Sequence, residues 1–178
     1  MRGPLLSGPL GSAATLARVC QIARERPPVI VLGALWLGQA LAAEVPVTVL
    51  IEPDKRRAAV RALRRSQRKG ARLTVLAAGE QIPFGPGSAG CILLDRVAEI
   101  AEGPATTGFL GRLAGVLRSE GVIVALDATR SRPAEARLAE LFLAASLTRI
   151  TQERPRDGAL LTIGGRTPAE VLALPGGS

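Results

Sequence analysis

Short runs of contiguous apolar residues alternate along this chain with longer stretches in which apolar positions recur every three or four residues. Val29–Leu32, Val47–Ile51, Arg72–Ala77, Cys91–Leu94 and Val122–Leu126 are of the first kind and predict buried strands. Four of them run into a polar or glycine residue: Gly33 follows the first, Glu52 the second, Asp95 the fourth and Asp127 the fifth. Between them lie helical patterns. Ala13–Arg26 places Leu16, Val19, Cys20 and Ala23 on one face and is stopped by Pro27-Pro28. Further helices are expected near Leu35–Glu44, from Pro53 to Lys69 with Gly70 as the stop, over Thr106–Arg118 and over Pro133–Ser146. Gly79–Gly90 reads as a loop, with four Gly and two Pro in its span. Two last strands, Leu147–Thr151 and Ala159–Ile163, flank a turn with Pro155, Asp157 and Gly158 and predict a hairpin.

Apolar strands separated by helices require a sheet covered on both faces, because a strand without polar alternation has no side to give to water. The fold class that follows is α/β: a Rossmann-like, doubly wound, seven-stranded sheet, mostly parallel with an antiparallel C-terminal hairpin. Residues 1–12 are expected to be a flexible lead, 13–166 the domain and 167–178 a tail. Such sheets take ligands outside the carboxyl ends of their strands, near the point where strand order reverses. Gly33, Glu52, Asp95 and Asp127 all fall on that edge.

Composition narrows the chemistry. The chain has no His and no Tyr, which excludes a Ser-His-Asp triad, a histidine base and histidine metal ligation. Cys20 and Cys91 are too few for a disulfide framework or a metal site, so no metal is expected and Cys91 is read as a small core residue. No apolar run reaches the roughly 20 residues of a membrane span, and Gly and Pro break up the start of the chain in a way unlike a signal peptide. The expected location is the cytoplasm. The net charge of +8 points to acidic partners. All but two of the 23 basic residues are Arg, in a chain also rich in Ala, Gly, Leu and Pro, and this bias weakens the charge as an argument by itself.

Two stretches carry a resemblance. Ala78-Gly79-Glu80-Gln81-Ile82-Pro83-Phe84-Gly85-Pro86-Gly87-Ser88 is similar to the loop A-E-x-L-P-F-x-x-x-S-F-D of small-molecule methyltransferases. Phe109-Leu110-Gly111-Arg112-Leu113-Ala114-Gly115-Val116-Leu117-Arg118-Ser119-Glu120-Gly121-Val122-Ile123-Val124 is similar to their helix-to-strand passage L-x-E-x-x-R-V-L-x-P-G-G-x-L-V-V. With the order of elements from about Val29 to Gly165, the chain resembles the class I S-adenosylmethionine-dependent methyltransferase superfamily. The resemblance implies a cofactor turn after the first strand, and there the pattern is degenerate. Gly33 matches the first turn glycine, whereas Leu35 stands at the second and Leu37 at the third, or Gly38 with a one-residue slip. Val31 replaces the acidic residue of the first strand, Ala78 the polar residue that reads the adenine amino group, and Ser88-Ala89-Gly90 the S-F-D ending. Glu52 matches the acidic residue that holds the ribose hydroxyls. No cofactor is therefore expected, with S-adenosylmethionine the ligand if the site still functions.

Several readings stay open. Leu35, Trp36 and Leu37 either fold inward as core or surface as an apolar patch in which Trp36 anchors a partner. Arg57, Arg61, Arg64 and Arg68 share one stripe of the basic helix, opposite Val60 and Leu63. That stripe is either a solvated face or a site for an acidic protein surface or a phosphate backbone. Nucleic acid would be held by charge alone, since three Phe and one Trp make a poor stacking platform. If the protein is an enzyme, Asp95 and Asp127 are the candidate bases, with Arg96 placed to hold an anionic substrate, although either carboxylate could equally cap a helix or face solvent. No insertion is long enough to form a substrate lid. The functional expectation is a non-catalytic interaction or scaffold subunit with a protein partner; the alternatives are an active S-adenosylmethionine-dependent methyltransferase and a nucleic-acid-associated accessory protein.

Overall fold

The computed structural model describes residues 13–66, 73–77, 82–97, 104–128, 130–156 and 159–166. The elements in chain order are α1 (Ala13–Glu25), β1 (Val29–Leu32), α2 (Leu35–Leu41), β2 (Val47–Ile51), a single 3-10 turn (Pro53–Lys55), α3 (Arg56–Ser66), β3 (Leu73–Ala77), β4 (Ala89–Asp95), α4 (Pro104–Val116), β5 (Leu117–Asp127), α5 (Arg132–Ala144), β6 (Arg149–Glu153) and β7 (Leu160–Gly165). The sheet has seven strands in the order β3-β2-β1-β4-β5-β7-β6. All neighbours from β3 to β5 are parallel, while β7 runs antiparallel to both β5 and β6. The reversal of strand order falls between β1 and β4.

Alternation along each strand divides the core in two. Val29, Val31, Val47, Val49, Cys91, Leu93, Val122 and Val124 point to the face covered by α1, α2 and Ala59 of α3. Ile30, Leu50, Ile92, Leu94, Ile123 and Ala125 point to the other, where Leu110, Leu113 and Ala114 of α4 and Leu138 and Phe142 of α5 cover them. Every residue of β4 except Asp95 is buried, as expected of a strand packed on both faces.

Several boundaries differ from the sequence reading. The second helix stops at Leu41 rather than Glu44: the N–H groups of Glu44 and Val45 both return to the Leu41 carbonyl, at 2.9 and 3.0 Å, and close the helix ahead of Pro46. The helix expected from Pro53 to Lys69 opens as a 3-10 turn and is helical from Arg56 to Ser66, with 67–69 outside the described residues. Strand β4 starts at Ala89, two residues inside the expected loop, and β5 at Leu117, inside the expected helix. These two changes are one event. Leu117 pairs with Ala89, the register then shifts before Cys91–Val122, and Arg118, Ser119 and Glu120 are taken up by that irregularity. At the end of α5, Ser146 adopts a left-handed backbone (φ 64°) and the Leu147 N–H returns to the Phe142 carbonyl at 3.0 Å. Leu147 is thereby spent on closing the helix, and β6 begins at Arg149 instead of Leu147.

Candidate functional site

The carboxyl edge of the sheet at the β1/β4 reversal is the place to look. Register fixes what meets there: Leu32 pairs with Leu50 and with Leu94, and Asp95 pairs with Leu126. The residues just beyond those pairs, Gly33, Glu52, Asp95-Arg96 and Asp127, therefore share one edge, as the sequence placed them.

Gly33 turns the chain from β1 towards α2 with φ +72°, its N–H donating to the Leu50 carbonyl at 2.9 Å. A side chain on it would meet no atom within 4 Å. The position requires glycine for its backbone, not for lack of room. Gly38, the other candidate turn glycine, lies inside α2, and a Cβ there would collide with Val49 Cγ2 of β2. It lets the helix lie close on the sheet and has no part in the turn.

Leu35 and Leu37 are core: Leu37 is fully buried and Leu35 nearly so, both in the cluster built around Val31 and Val49. The apolar patch is thus reduced to Trp36. Its ring packs partly buried against that same cluster, and its indole Nε1–H donates to Asp95 Oδ2 at 3.2 Å. This bond runs from the helix that follows β1 to the end of β4, across the strand-order reversal.

Asp127 ends β5 with 1% of its surface exposed, so the solvent-facing reading does not apply to it. Asp95 is partly buried and engaged by Trp36. Arg96 follows in a left-handed conformation (φ 57°), secured by its N–H on the Leu126 carbonyl at 2.7 Å. Glu52 is exposed and pairs with Lys55 on the following turn. Arg57 and Arg61 are exposed on α3, as a stripe requires; the side chains of Leu63 and Arg64, and all of Arg68, lie outside the described residues. On the inner side of α3 Ala59 is buried and Val60 partly so.

Of the resembling loop, 78–81 lie outside the described residues. Ile82 and Phe84 pack against the second core cluster, and Ser88 Oγ donates to the Gly85 carbonyl at 2.7 Å. Gly90, at the position of the lost carboxylate, sits against the Arg26 and Pro27 carbonyls, the latter 2.6 Å from where a Cβ would be. A carboxylate has no space there. Cys20 and Cys91 are buried, and burial pushes both thiols up, Cys91 to about 12. They are core residues.

The sequence named Trp36 and Asp95 for different roles and missed that they meet. Both flank adjacent strand ends, which strand order would have shown, but the rotamer that joins them has no signature in the sequence.

Gly33 has clear space around its Cβ position, the Trp36–Asp95 bond spans the strand-order reversal beside it, and fully buried Val31 stands where the resemblance leads one to expect an acidic residue on β1.

No protein-family model matches the chain, and no curated protein does. Solved structures do. The fold is similar to that of PigF with SAH (TM-score 0.69, 13% identity, 87% of this chain and 62% of that one). It is likewise similar to an O-methyltransferase family protein from Burkholderia thailandensis (TM-score 0.67, 16% identity, 88% and 56%). A SAM-dependent methyltransferase from Aquifex aeolicus matches over most of both chains (TM-score 0.62, 14% identity, 87% and 89%). The chain thus spans about 60% of the first two and nearly all of the third. With its seven-stranded sheet closing in an antiparallel pair and this likeness to solved methyltransferase structures, the chain has a Rossmann-like, class I S-adenosylmethionine-dependent methyltransferase-like fold.

Proposed function

We propose that this protein is a methyltransferase-fold domain without methyl-transfer activity, acting as an interaction or scaffold subunit. The observation that carries the reading is the Trp36–Asp95 hydrogen bond across the strand-order reversal. It spans the strand-order reversal, beside which a doubly wound sheet receives its ligand, and it engages one of the two carboxylates that could have served as a base. The other, Asp127, is buried at the end of β5, and a general base must come within hydrogen-bond reach of the proton it removes.

The surface left for a partner is α3. Arg57 and Arg61 are exposed there, one helical turn apart, while Trp36 is held by Asp95 and offers less of itself to a second protein. An acidic protein surface is the partner this face suits.

Calorimetric titration of the wild-type protein with S-adenosylmethionine and S-adenosylhomocysteine tests the reading. No heat of binding at millimolar ligand is the expected result. Micromolar affinity would overturn it and restore the enzyme, with Glu52→Ala as the next variant and Asp95 as the base to examine. No helix among the described residues is long and apolar enough to cross a membrane.

A further inference from the structure

Of the three bulky residues that replace the cofactor turn, only one stands in the crevice. Leu35 and Leu37 are drawn into the core beneath α2, at 7% and 0% exposure. Gly33, at the mouth of the turn, keeps a positive φ and clear space around its Cβ position. Beyond Gly33, Ala34 and Leu35 are buried, and Trp36 is the residue of the turn whose indole reaches over the reversal to Asp95 Oδ2. Of the side chains of the turn, the Trp36 indole is thus the one placed to obstruct the switch-point crevice.

We propose that Trp36 is a latch: its indole, held shut by Asp95, is what keeps an adenosyl ligand out of the crevice between β1 and β4. The inference rests on the closed-site reading above and names the element responsible for it. Removing the indole opens the crevice, whereas removing Asp95 frees the indole to leave it.

Trp36 is the chain's single Trp and there is no Tyr, so its emission reports on the latch without labelling. The test compares wild type, Trp36→Ala and Asp95→Ala, each checked for folding by circular dichroism and thermal melting, then titrated calorimetrically with S-adenosylhomocysteine. Trp36→Ala is expected to bind at least tenfold more tightly than wild type. In Asp95→Ala the emission is expected to shift to the red and to be quenched more readily by acrylamide, with a gain in affinity of the same sign. A folded Trp36→Ala protein that binds no better than a non-binding wild type overturns the latch and leaves the closed-site reading standing. Micromolar binding by wild type overturns both. Should Trp36→Ala fail to fold, Asp95→Ala decides: unchanged emission, or released emission without a gain in binding, overturns the latch.

Discussion

Gly33 and Gly38 were competing matches to a single turn glycine, and they answer to different physics. At Gly33 the constraint is the backbone alone: φ is +72° and nothing lies near the Cβ position. Gly33→Ala should therefore cost about 1–2 kcal/mol, the penalty of a left-handed L-residue, and no more. At Gly38 the backbone is helical, and Ala would gain about 1 kcal/mol in helix propensity. The collision with Val49 Cγ2 in the core opposes this with about 1–3 kcal/mol of overpacking, so Gly38→Ala should be net destabilising despite its better propensity. Urea unfolding of both variants checks the pair; a stabilised Gly38→Ala would show that α2 can lift off β2 freely. Cys91 supplies a pH dependence. Its thiol titrates near 8.5 when unfolded and at about 12 when buried. As pH rises the unfolded chain releases this proton first. Its contribution is thus constant below about pH 8.5 and then falls by up to roughly 1.4 kcal/mol per pH unit. Between pH 8 and 10 wild type should lose about 2 kcal/mol more than Cys91→Ala does. Equal losses in the two proteins would mean that the thiol is not the cause. The raised thiol of Cys20 adds loss of the same sign to both.

At the scale of elements, helices and strands were legible wherever one period ran unbroken, and their ends were misread where a tertiary event intervened. The pattern of Leu110, Leu113 and Leu117 continues a helical period through Leu117, yet Leu117 already pairs with Ala89 in the sheet. Leu147 looks like the first apolar residue of a strand and is instead the residue that closes α5. Neither is visible without the partner strand or the returning N–H. The exposure of Arg57 and Arg61 on α3 was legible from spacing, because charge on a helix exterior needs no partner to be placed. Arg57 and Arg61 are exposed, and substitutions at such positions change stability by about 0.5 kcal/mol or less. Arg57→Glu/Arg61→Glu should accordingly fold normally. If α3 is the docking face, the double variant should elute from immobilised heparin at markedly lower salt than wild type. The control is Arg132→Glu/Arg137→Glu, which makes the same change of net charge at two exposed positions on α5. Matching elution of the two variants would assign the effect to overall charge and remove α3 as a specific surface.

For the molecule as a whole, the alternation of strands and helices was enough to infer a covered, mostly parallel sheet with a closing hairpin, but it did not contain the order β3-β2-β1-β4-β5-β7-β6. Order is a property of which strand ends meet, and for the same reason the Trp36–Asp95 contact across the reversal could not be anticipated. The order in turn dictates how the domain should open. Strand β4 is hydrogen-bonded on both sides, by β1 and β5, and is buried on both faces. Strand β6 is at the edge, paired only with β7 in the sheet, and none of its residues is fully buried. It is held in part by side-chain bonds such as Gln152 Nε2 to the Glu135 carbonyl at 2.8 Å and the Arg18–Glu153 pair at 2.6 Å, which ties α1 to this edge. Partly exposed pairs of that kind contribute about 0–1 kcal/mol, too little to protect a strand that can otherwise detach alone. Amide exchange in β4 and the middle of β5 should therefore require global unfolding, whereas β6 should exchange through local opening at least tenfold faster. Equal protection of β6 and β4 would mean that this edge is covered in solution. Protection of β6 that then rises with protein concentration would identify the cover as a second copy of the chain.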